Sequence, residues 1–246
     1  MLTQIINGHI LTPQGWMKDG SVLISDGKIL EVTNSDLAVI GATVIDAKGM
    51  YIVPGFVSMH AHGGGGYDFT EGTTEAFQKA TQAHLKHGAT SIFPTLSSTS
   101  FENIKKAVST CEELMTEKGS IIQGLHIEGP YLNKKMAGTQ WEEFIKDPDP
   151  EEYIPLLEST QCIKRWDISP ELPGAHDFAR YTTSKGILTA ITHTEAEYPE
   201  IKAAFEAGFT HAAHFYNAMP GFHKRREYKY EGTVESIYLM DDMTVE

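Results

Sequence analysis

The chain has 246 residues, of which 41% are hydrophobic and 22% are charged, which is ordinary for a globular protein. Its formal net charge of −13 disfavours nucleic-acid binding, because a phosphate backbone attracts a basic surface. Cys111 and Cys162 stand far apart and form neither a disulfide framework nor a thiolate metal motif. Neither a signal peptide nor an apolar run of about 18 residues is found, so we expect a cytoplasmic protein with no membrane partner.

The first 53 residues have the pattern of a small β-sheet. Short apolar runs separated by turn residues predict strands over 4–11, 21–25, 28–33, 43–46 and 50–53. Asp26-Gly27 predicts a type I′ hairpin turn, since both central positions of that turn need a positive φ. Lys48-Gly49 is the predicted turn of a second pair, formed by the last two strands.

From Pro54 onwards, short apolar strands alternate with helical patterns, which predicts a parallel sheet. The predicted strands cover residues 55–60, 91–94, 121–127, 163–169, 187–193 and 211–215. The predicted helices cover residues 73–87, 101–118, 150–159, 174–184 and 199–207.

Residues with metal-binding or catalytic side chains stand at the carboxyl ends of these strands, all along the chain. In a barrel those ends meet at one mouth, whereas in an open doubly wound sheet they spread along an edge. Convergence therefore favours a barrel. A closed barrel has eight strands, but only six are predicted here, and the chain ends in the strand-like run YLMDDMTVE. We therefore expect a piece of a longer protein, and expect residues 1–246 alone to be poorly soluble or partly unfolded, because an open sheet edge invites aggregation.

The strongest local signal is the pair His60 and His62 at the end of a predicted strand. Residues two apart on a strand point to the same face, so both imidazoles can bind one metal ion. Gly63–Gly66 then lets the backbone pass close to a ligand. Alone, the pair is equally compatible with two surface histidines in a turn-rich loop.

Three further strand ends carry Glu128, His193 and His214. A carboxylate at the end of an apolar strand is costly to bury unless it is paired or bound to a metal. Each residue alone fits a structural role, but four histidines and one glutamate at strand ends together predict a zinc or iron site. His126 lies deeper in its strand, and we expect it to pack against the ligands without binding the metal.

The motifs around these residues resemble a known family. PGFVSMHAHG resembles the PGxxDxHxHG motif of the amidohydrolase superfamily, with Ser58 in place of the usual Asp. GLHIEGPYLN, ITHTEA and AAHFYNAMP resemble N-acetylglucosamine-6-phosphate deacetylases, and the resemblance extends over essentially the whole chain.

This resemblance implies an α/β fold: a TIM-like (β/α)8 metal-dependent hydrolase barrel, incomplete in this chain, with a small N-terminal β-sandwich part. The corresponding domains are residues 1–53 and 54–246. The implied reaction hydrolyses the acetamide of N-acetyl-D-glucosamine 6-phosphate to glucosamine 6-phosphate and acetate. One or two divalent ions, zinc or iron, are implied per subunit; the implied ligands are Glu128, His193 and His214, joined by His60 and His62.

The resemblance also implies substrate contacts and a homodimer. Thr139 and Gln140 match a sugar-contacting position, Asn217 and Ala218 a phosphate site, and Arg225 or Arg226 an arginine that reaches a neighbouring subunit's phosphate. The implied general acid/base, an Asp after an ADGxH segment, is expected beyond Glu246. Two alternatives stay open: another amidohydrolase, dihydroorotase-like or acting on N-acyl amino acids, and a metal-binding scaffold without catalysis.

Overall fold

A computed structural model of the protein describes residues 1–34 and 38–246. The chain divides into two compact units, Met1–Gly55 and Phe56–Glu246. Within the described residues, no helix is both long and apolar enough to cross a membrane.

The first unit is a five-stranded sheet. Its strands are β1 (Leu2–Thr12), β2 (Gly15–Ser25), β3 (Lys28–Thr33), β4 (Thr43–Asp46) and β5 (Tyr51–Ile52). The order is β3-β2-β1-β4, with β5 also paired to β1. The hairpin at Asp26-Gly27 is confirmed: β2 and β3 are antiparallel, and the two turn residues have φ angles of 49° and 78°.

The pairing predicted between the last two strands is wrong. β4 and β5 both run parallel to β1 and continue along the same edge. The backbone N–H groups of Ala47 and Gly49 donate to the carbonyls of Ile6 and Asn7, so the connecting turn itself follows β1. These hydrogen bonds keep β5 running in the same direction as β4, whereas a hairpin turn would reverse the chain.

The second unit alternates strands and helices. In chain order the elements are β6 (Phe56–Ala61), β7 (Gly63–Gly64), β8 (Tyr67–Asp68), α1 (Thr74–Lys86), β9 (Ala89–Leu96), α2 (Phe101–Met115), β10 (Leu125–Glu128), α3 (Pro150–Ser159), β11 (Ile163–Ile168), α4 (Ala175–Ser184), β12 (Leu188–Ile191), α5 (Tyr198–Ala207), β13 (Phe209–Ala212), β14 (His223–Arg225), β15 (Tyr228–Tyr230), α6 (Thr233–Tyr238) and β16 (Thr244–Val245). Single 3-10 turns lie at Phe69–Glu71 and Lys134–Met136.

Helix starts follow local capping chemistry. The Thr73 and Ser100 side chains accept hydrogen bonds from the first turns of α1 and α2, and Asp149 does the same for α3, which begins with Pro150. The helix predicted over 101–118 ends earlier, at Met115.

The central sheet of this unit is parallel and has seven strands, in the order β16-β13-β12-β11-β10-β9-β6. The expected fold class, an incomplete TIM-like barrel, is confirmed. The count of six strands is one too few, because β16 pairs with β13. β16 lies in the terminal run 238–246, which is strand-like in the sequence but was not included in the count. α6 ends inside this run, and only two of its residues are extended, too few for a periodic pattern.

The two faces of β11 contact different parts of the core, an apolar layer on one side and a polar barrel interior on the other. Trp166 packs at ring distances of 5.7 Å from Tyr131 and 5.2 Å from Phe178, within the apolar layer between sheet and helices. Arg165 and Asp167 alternate with Trp166 and therefore lie on the other face of the sheet, inside the curled barrel. Both are buried, so this interior is polar.

Candidate metal centre

The predicted site residues lie at, or just after, the carboxyl ends of four strands. Glu128 is the last residue of β10, His60 lies in β6, and His62 follows β6 directly. His193 and His214 each stand two residues after their strands, β12 and β13. The strands predicted over 187–193 and 211–215 are thus too long. The two histidines have φ angles of 44° and 33°, a left-handed conformation that ends a strand and turns the side chain inward.

Glu128 lies among the four imidazoles. Its Oε1 atom is 3.2 Å from His193 Nε2 and 2.9 Å from His214 Nε2. Its Oε2 atom is 3.0 Å from His62 Nε2 and 3.6 Å from His60 Nε2. The two oxygens of one carboxylate therefore face two different pairs of histidines.

The charge of Glu128 is stabilised by these contacts. The carboxyl is 2% exposed, and burial alone favours its neutral form. Contacts with His193, His214, His60 and His62 outweigh burial and hold its pKa well below the ordinary value. For His60, burial opposes protonation, but contacts with Glu128 and Glu246 prevail and raise its pKa to about 9. The negative charges of Glu128 and Glu246 therefore favour a cation at the centre.

The donor set fits a divalent metal ion. Three groups of three residues have their ligand atoms within 4.8 Å of one another. Two of them share Glu128, one with His60 and His62 and the other with His193 and His214. The third, His60 with His126 and Asp167, lies deeper in the barrel and includes the histidine that we expected not to bind metal. Imidazole nitrogen with carboxylate oxygen suits zinc and iron.

A second layer of contacts orients three of the histidines. His193 donates from Nδ1 to the Met136 carbonyl at 2.7 Å, His62 Nδ1 lies 3.0 Å from Ser97 Oγ, and His60 Nδ1 lies 2.6 Å from Glu246 Oε1. Such partners leave the Nε2 atoms facing Glu128. None of these three partners, the Met136 carbonyl, Ser97 and Glu246, was predicted from the sequence. Only Ser97 carried a signal, as a hydroxyl just past a strand.

The barrel interior beneath the centre is also polar. Arg165 forms a bidentate pair with Asp167 at 2.6 and 2.7 Å and reaches Glu246 at 2.7 and 2.8 Å. His126, which we expected to pack and not to bind metal, lies 3.0 Å from Thr95 Oγ1 and 2.9 Å from Asp167 Oδ2. Burial lowers the pKa of His126 to about 4. For Asp167, burial acts against ionisation, but His126 and Arg165 prevail and lower its pKa to about 2.

A cavity of about 770 Å³ opens in front of Glu128, His62, His193 and His214. The predicted substrate residues that line it are Thr139, Gln140, Asn217 and Ala218. Gly138, which precedes Thr139 in the segment that resembles a sugar-contacting position, also lines it, and the lining residues not predicted from the sequence are Asp68, Ser97, Lys135, Met136 and Trp141.

Arg225 and Arg226 do not line this cavity. Arg225 forms an ion pair with Glu197 and lies 4.8 Å from the Tyr230 ring centre. Arg226 occupies the tight turn between β14 and β15 with a φ of 57°, and its side chain is exposed. Within one chain the structure therefore brings four of the six predicted substrate residues to the centre.

Comparison with known proteins gives consistent matches. Residues 51–243 match the Amidohydrolase family. N-acetylglucosamine-6-phosphate deacetylase of Haemophilus influenzae is 34% identical over 94% of this chain and 60% of its own length. The Lysinibacillus sphaericus enzyme of the same name is 29% identical over 98% of this chain and 62% of its own. The chain thus spans about three fifths of these curated relatives.

A solved structure supports the same relationship. The crystal structure of N-acetylglucosamine-6-phosphate deacetylase from Pasteurella multocida superposes with a TM-score of 0.89 at 26% identity, over 99% of this chain and 64% of that one. The resemblance to these deacetylases predicted from the sequence is confirmed. With its fold and a family match over most of its length, the chain belongs to the amidohydrolase family.

Proposed function

We propose that this chain provides the metal centre and much of the substrate cavity of an N-acetyl-D-glucosamine-6-phosphate deacetylase. The observation that carries the proposal is the position of Glu128, buried among four imidazoles beside a cavity. The similarity to deacetylases of that name supports the choice of substrate. The products would be glucosamine 6-phosphate and acetate.

The proposed ligands define two overlapping positions for a divalent ion, zinc or iron. Glu128, His193 and His214 hold one, and His60 and His62 share Glu128 to hold the other. Such an ion polarises an amide carbonyl and lowers the pKa of water, so that hydrolysis proceeds at neutral pH. The protein's part is to keep five ligand side chains in place on rigid strand ends.

Residues of the cavity wall would bind and orient the sugar phosphate. Thr139 carries a hydroxyl for the sugar, and the Asn217 amide with the Ala218 backbone N–H can donate to phosphate oxygens. The Ala218 carbonyl accepts a hydrogen bond from the Thr194 backbone at 3.1 Å, which anchors this loop next to β12. One of Arg225 and Arg226 would reach the phosphate bound by the partner in a homodimer.

Proton transfer to the leaving amine needs a further acid/base group. We propose that it is an aspartate beyond Glu246 in the complete protein, because the chain spans about three fifths of its relatives. A reducing cytoplasmic location fits the two buried free thiols, Cys111 and Cys162.

Substrate preference tests the proposal. The full-length protein should release acetate from N-acetylglucosamine 6-phosphate with a kcat/KM at least about tenfold above that for unphosphorylated N-acetylglucosamine, because each charge-assisted bond to phosphate contributes ~1.5–3 kcal/mol. Chelation should abolish the activity, and zinc or iron should restore it. N-acetylgalactosamine 6-phosphate serves as the epimer control.

The alternatives predict different results. Equal kcat/KM with and without phosphate would contradict a phosphosugar enzyme. Turnover of dihydroorotate or N-acyl amino acids at a higher kcat/KM would indicate another amidohydrolase. Full metal loading without any turnover would identify a scaffold that has lost catalysis.

A further inference from the structure

Gln140 was expected to contact the sugar, but its amide is directed into the protein. The side chain is 8% exposed. Its Oε1 atom accepts a hydrogen bond from the Ser98 backbone N–H at 2.7 Å, and its Nε2 atom donates to Glu128 Oε2 at 2.8 Å. Both polar ends of the amide are therefore engaged by protein atoms.

The orientation of this amide follows from its partners. A backbone N–H can only donate, so the Gln140 oxygen must face Ser98. The Gln140 nitrogen then faces Glu128 Oε2, at 2.8 Å. A flipped amide would lose both bonds and place two oxygens together. Gln140 is thus held in one state and can only donate to Glu128.

The contact is selective for one oxygen of Glu128. Oε2 faces His60 and His62, whereas Oε1 faces the other two histidines. Ser97, which precedes the residue bound by Gln140, lies 3.0 Å from His62 Nδ1. A closed ring of contacts therefore runs from Ser97-Ser98 through Gln140 and Glu128 to His62, and back to Ser97.

We propose that Gln140 is a positioning residue for the metal position bounded by His60, His62 and Glu128 Oε2, and not a sugar-binding residue. The inference rests on the proposed metal centre. Gln140 orients the carboxylate and ties it to the Ser97-Ser98 segment that orients His62. Without Gln140, Oε2 loses the amide hydrogen bond, and the ring of contacts opens on the side of His60 and His62 only.

Zinc titration of the metal-free, full-length protein tests this role. Gln140→Leu keeps a similar volume and removes both bonds. One zinc position should weaken by about 10–100-fold, the usual effect of removing an outer contact of a metal ligand. Ser97→Ala should weaken the same position. At saturating zinc, the KM for the amino-sugar phosphate should change by less than about twofold, since uniform substrate binding is not altered.

Two further variants complete the design. Gln82→Leu changes an exposed glutamine on α1 and should leave zinc binding unchanged. Gln140→Met, an unbranched apolar replacement, gives a second measurement if the Leu variant does not melt cooperatively. Unchanged zinc affinity in the Gln140 variants, together with a raised KM, would overturn the proposal. The titration uses no sugar, so its outcome is independent of whether the proposed deacetylation is correct.

Discussion

Glu128 occupies a position where a carboxylate is stable only because of its neighbours. It is almost fully buried, and the four imidazoles and Gln140 supply the donors that water would otherwise provide. Each imidazole alone has an ordinary structural explanation. The combination does not, because all four Nε2 atoms lie within 3.6 Å of one carboxylate. The side chain therefore links the two proposed metal positions.

Replacing Glu128 by Gln should remove the metal from both positions. The neutral amide keeps the shape but loses the negative charge that faces both histidine pairs, so zinc affinity should fall by more than about 100-fold, beyond the usual effect of an outer contact. Metal content after dialysis, measured by elemental analysis, gives the readout. Glu143→Gln, at an exposed position, is the matched control. Wild-type zinc content in the Glu128 variant would exclude it as a ligand.

At the scale of elements, periodicity predicted the βα alternation but not where strands end. His193 and His214 extend the apolar pattern of their strands, yet both have left-handed backbones outside them. The prediction failed there because hydrophobic periodicity carries no information on a single left-handed residue that ends a strand. The terminal run that contains β16 is strand-like in the sequence, but it was not counted as a strand, since two extended residues carry no periodicity.

The sequence also did not predict which residues of β11 face the barrel interior. Nothing in the run IKRWDI says which face is buried against helices and which lies inside the barrel. Arg165 and Asp167 appear as ordinary strand charges until their partners are known: they pair with each other, Arg165 also pairs with Glu246, and Asp167 with His126. In three dimensions they form one network directly beneath His60.

We expect Asp167→Asn to destabilise the protein by about 3–5 kcal/mol, because removing one partner leaves buried Arg165 short of counter-charge. The folded-state pKa of Asp167 is lowered to about 2, so its ionisation stabilises the fold above about pH 4, and this contribution is lost as pH falls towards 2. The difference between variant and wild type in urea unfolding should therefore shrink from pH 7 to pH 3. Asp177→Asn, in an exposed pair with Arg180, should cost less than about 1 kcal/mol at either pH. Equal stability of Asp167→Asn and wild type at pH 7 would contradict this role.

For the whole molecule, the sequence motifs predicted the fold class and the residues that meet at the centre. They could not predict the order of contacts around it, since hydrogen bonds such as that from His193 to the Met136 carbonyl depend on backbone groups, which every residue has. Nor could they separate Arg225 from Arg226. In the structure, Arg225 is held by Glu197 of its own chain, which leaves Arg226 as the better candidate for a neighbouring subunit.

Mixing two inactive variants tests this arrangement. Arg226→Ala leaves the chain's own metal centre intact, and Glu128→Gln destroys that centre but keeps the arginine. If the arginine acts across a two-fold dimer, half of the re-associated dimers contain one complete site, so activity should return to about a quarter of wild type. Arg225→Ala in the same mixture is the matched comparison. No recovery with either arginine variant would argue against an arginine delivered by the partner.

The spread of the proposed ligands along the chain has a consequence for chain entropy. Glu128 stands 65 positions from His193 and 86 from His214. An ion binding these residues would close long loops, and the entropy of closing a loop grows with the logarithm of its length. It would then join strands β10, β12 and β13 in the folded chain, because the assembled site does not exist in the unfolded one. Its binding free energy would be folding free energy, so metal starvation would deplete the folded protein as well as its activity.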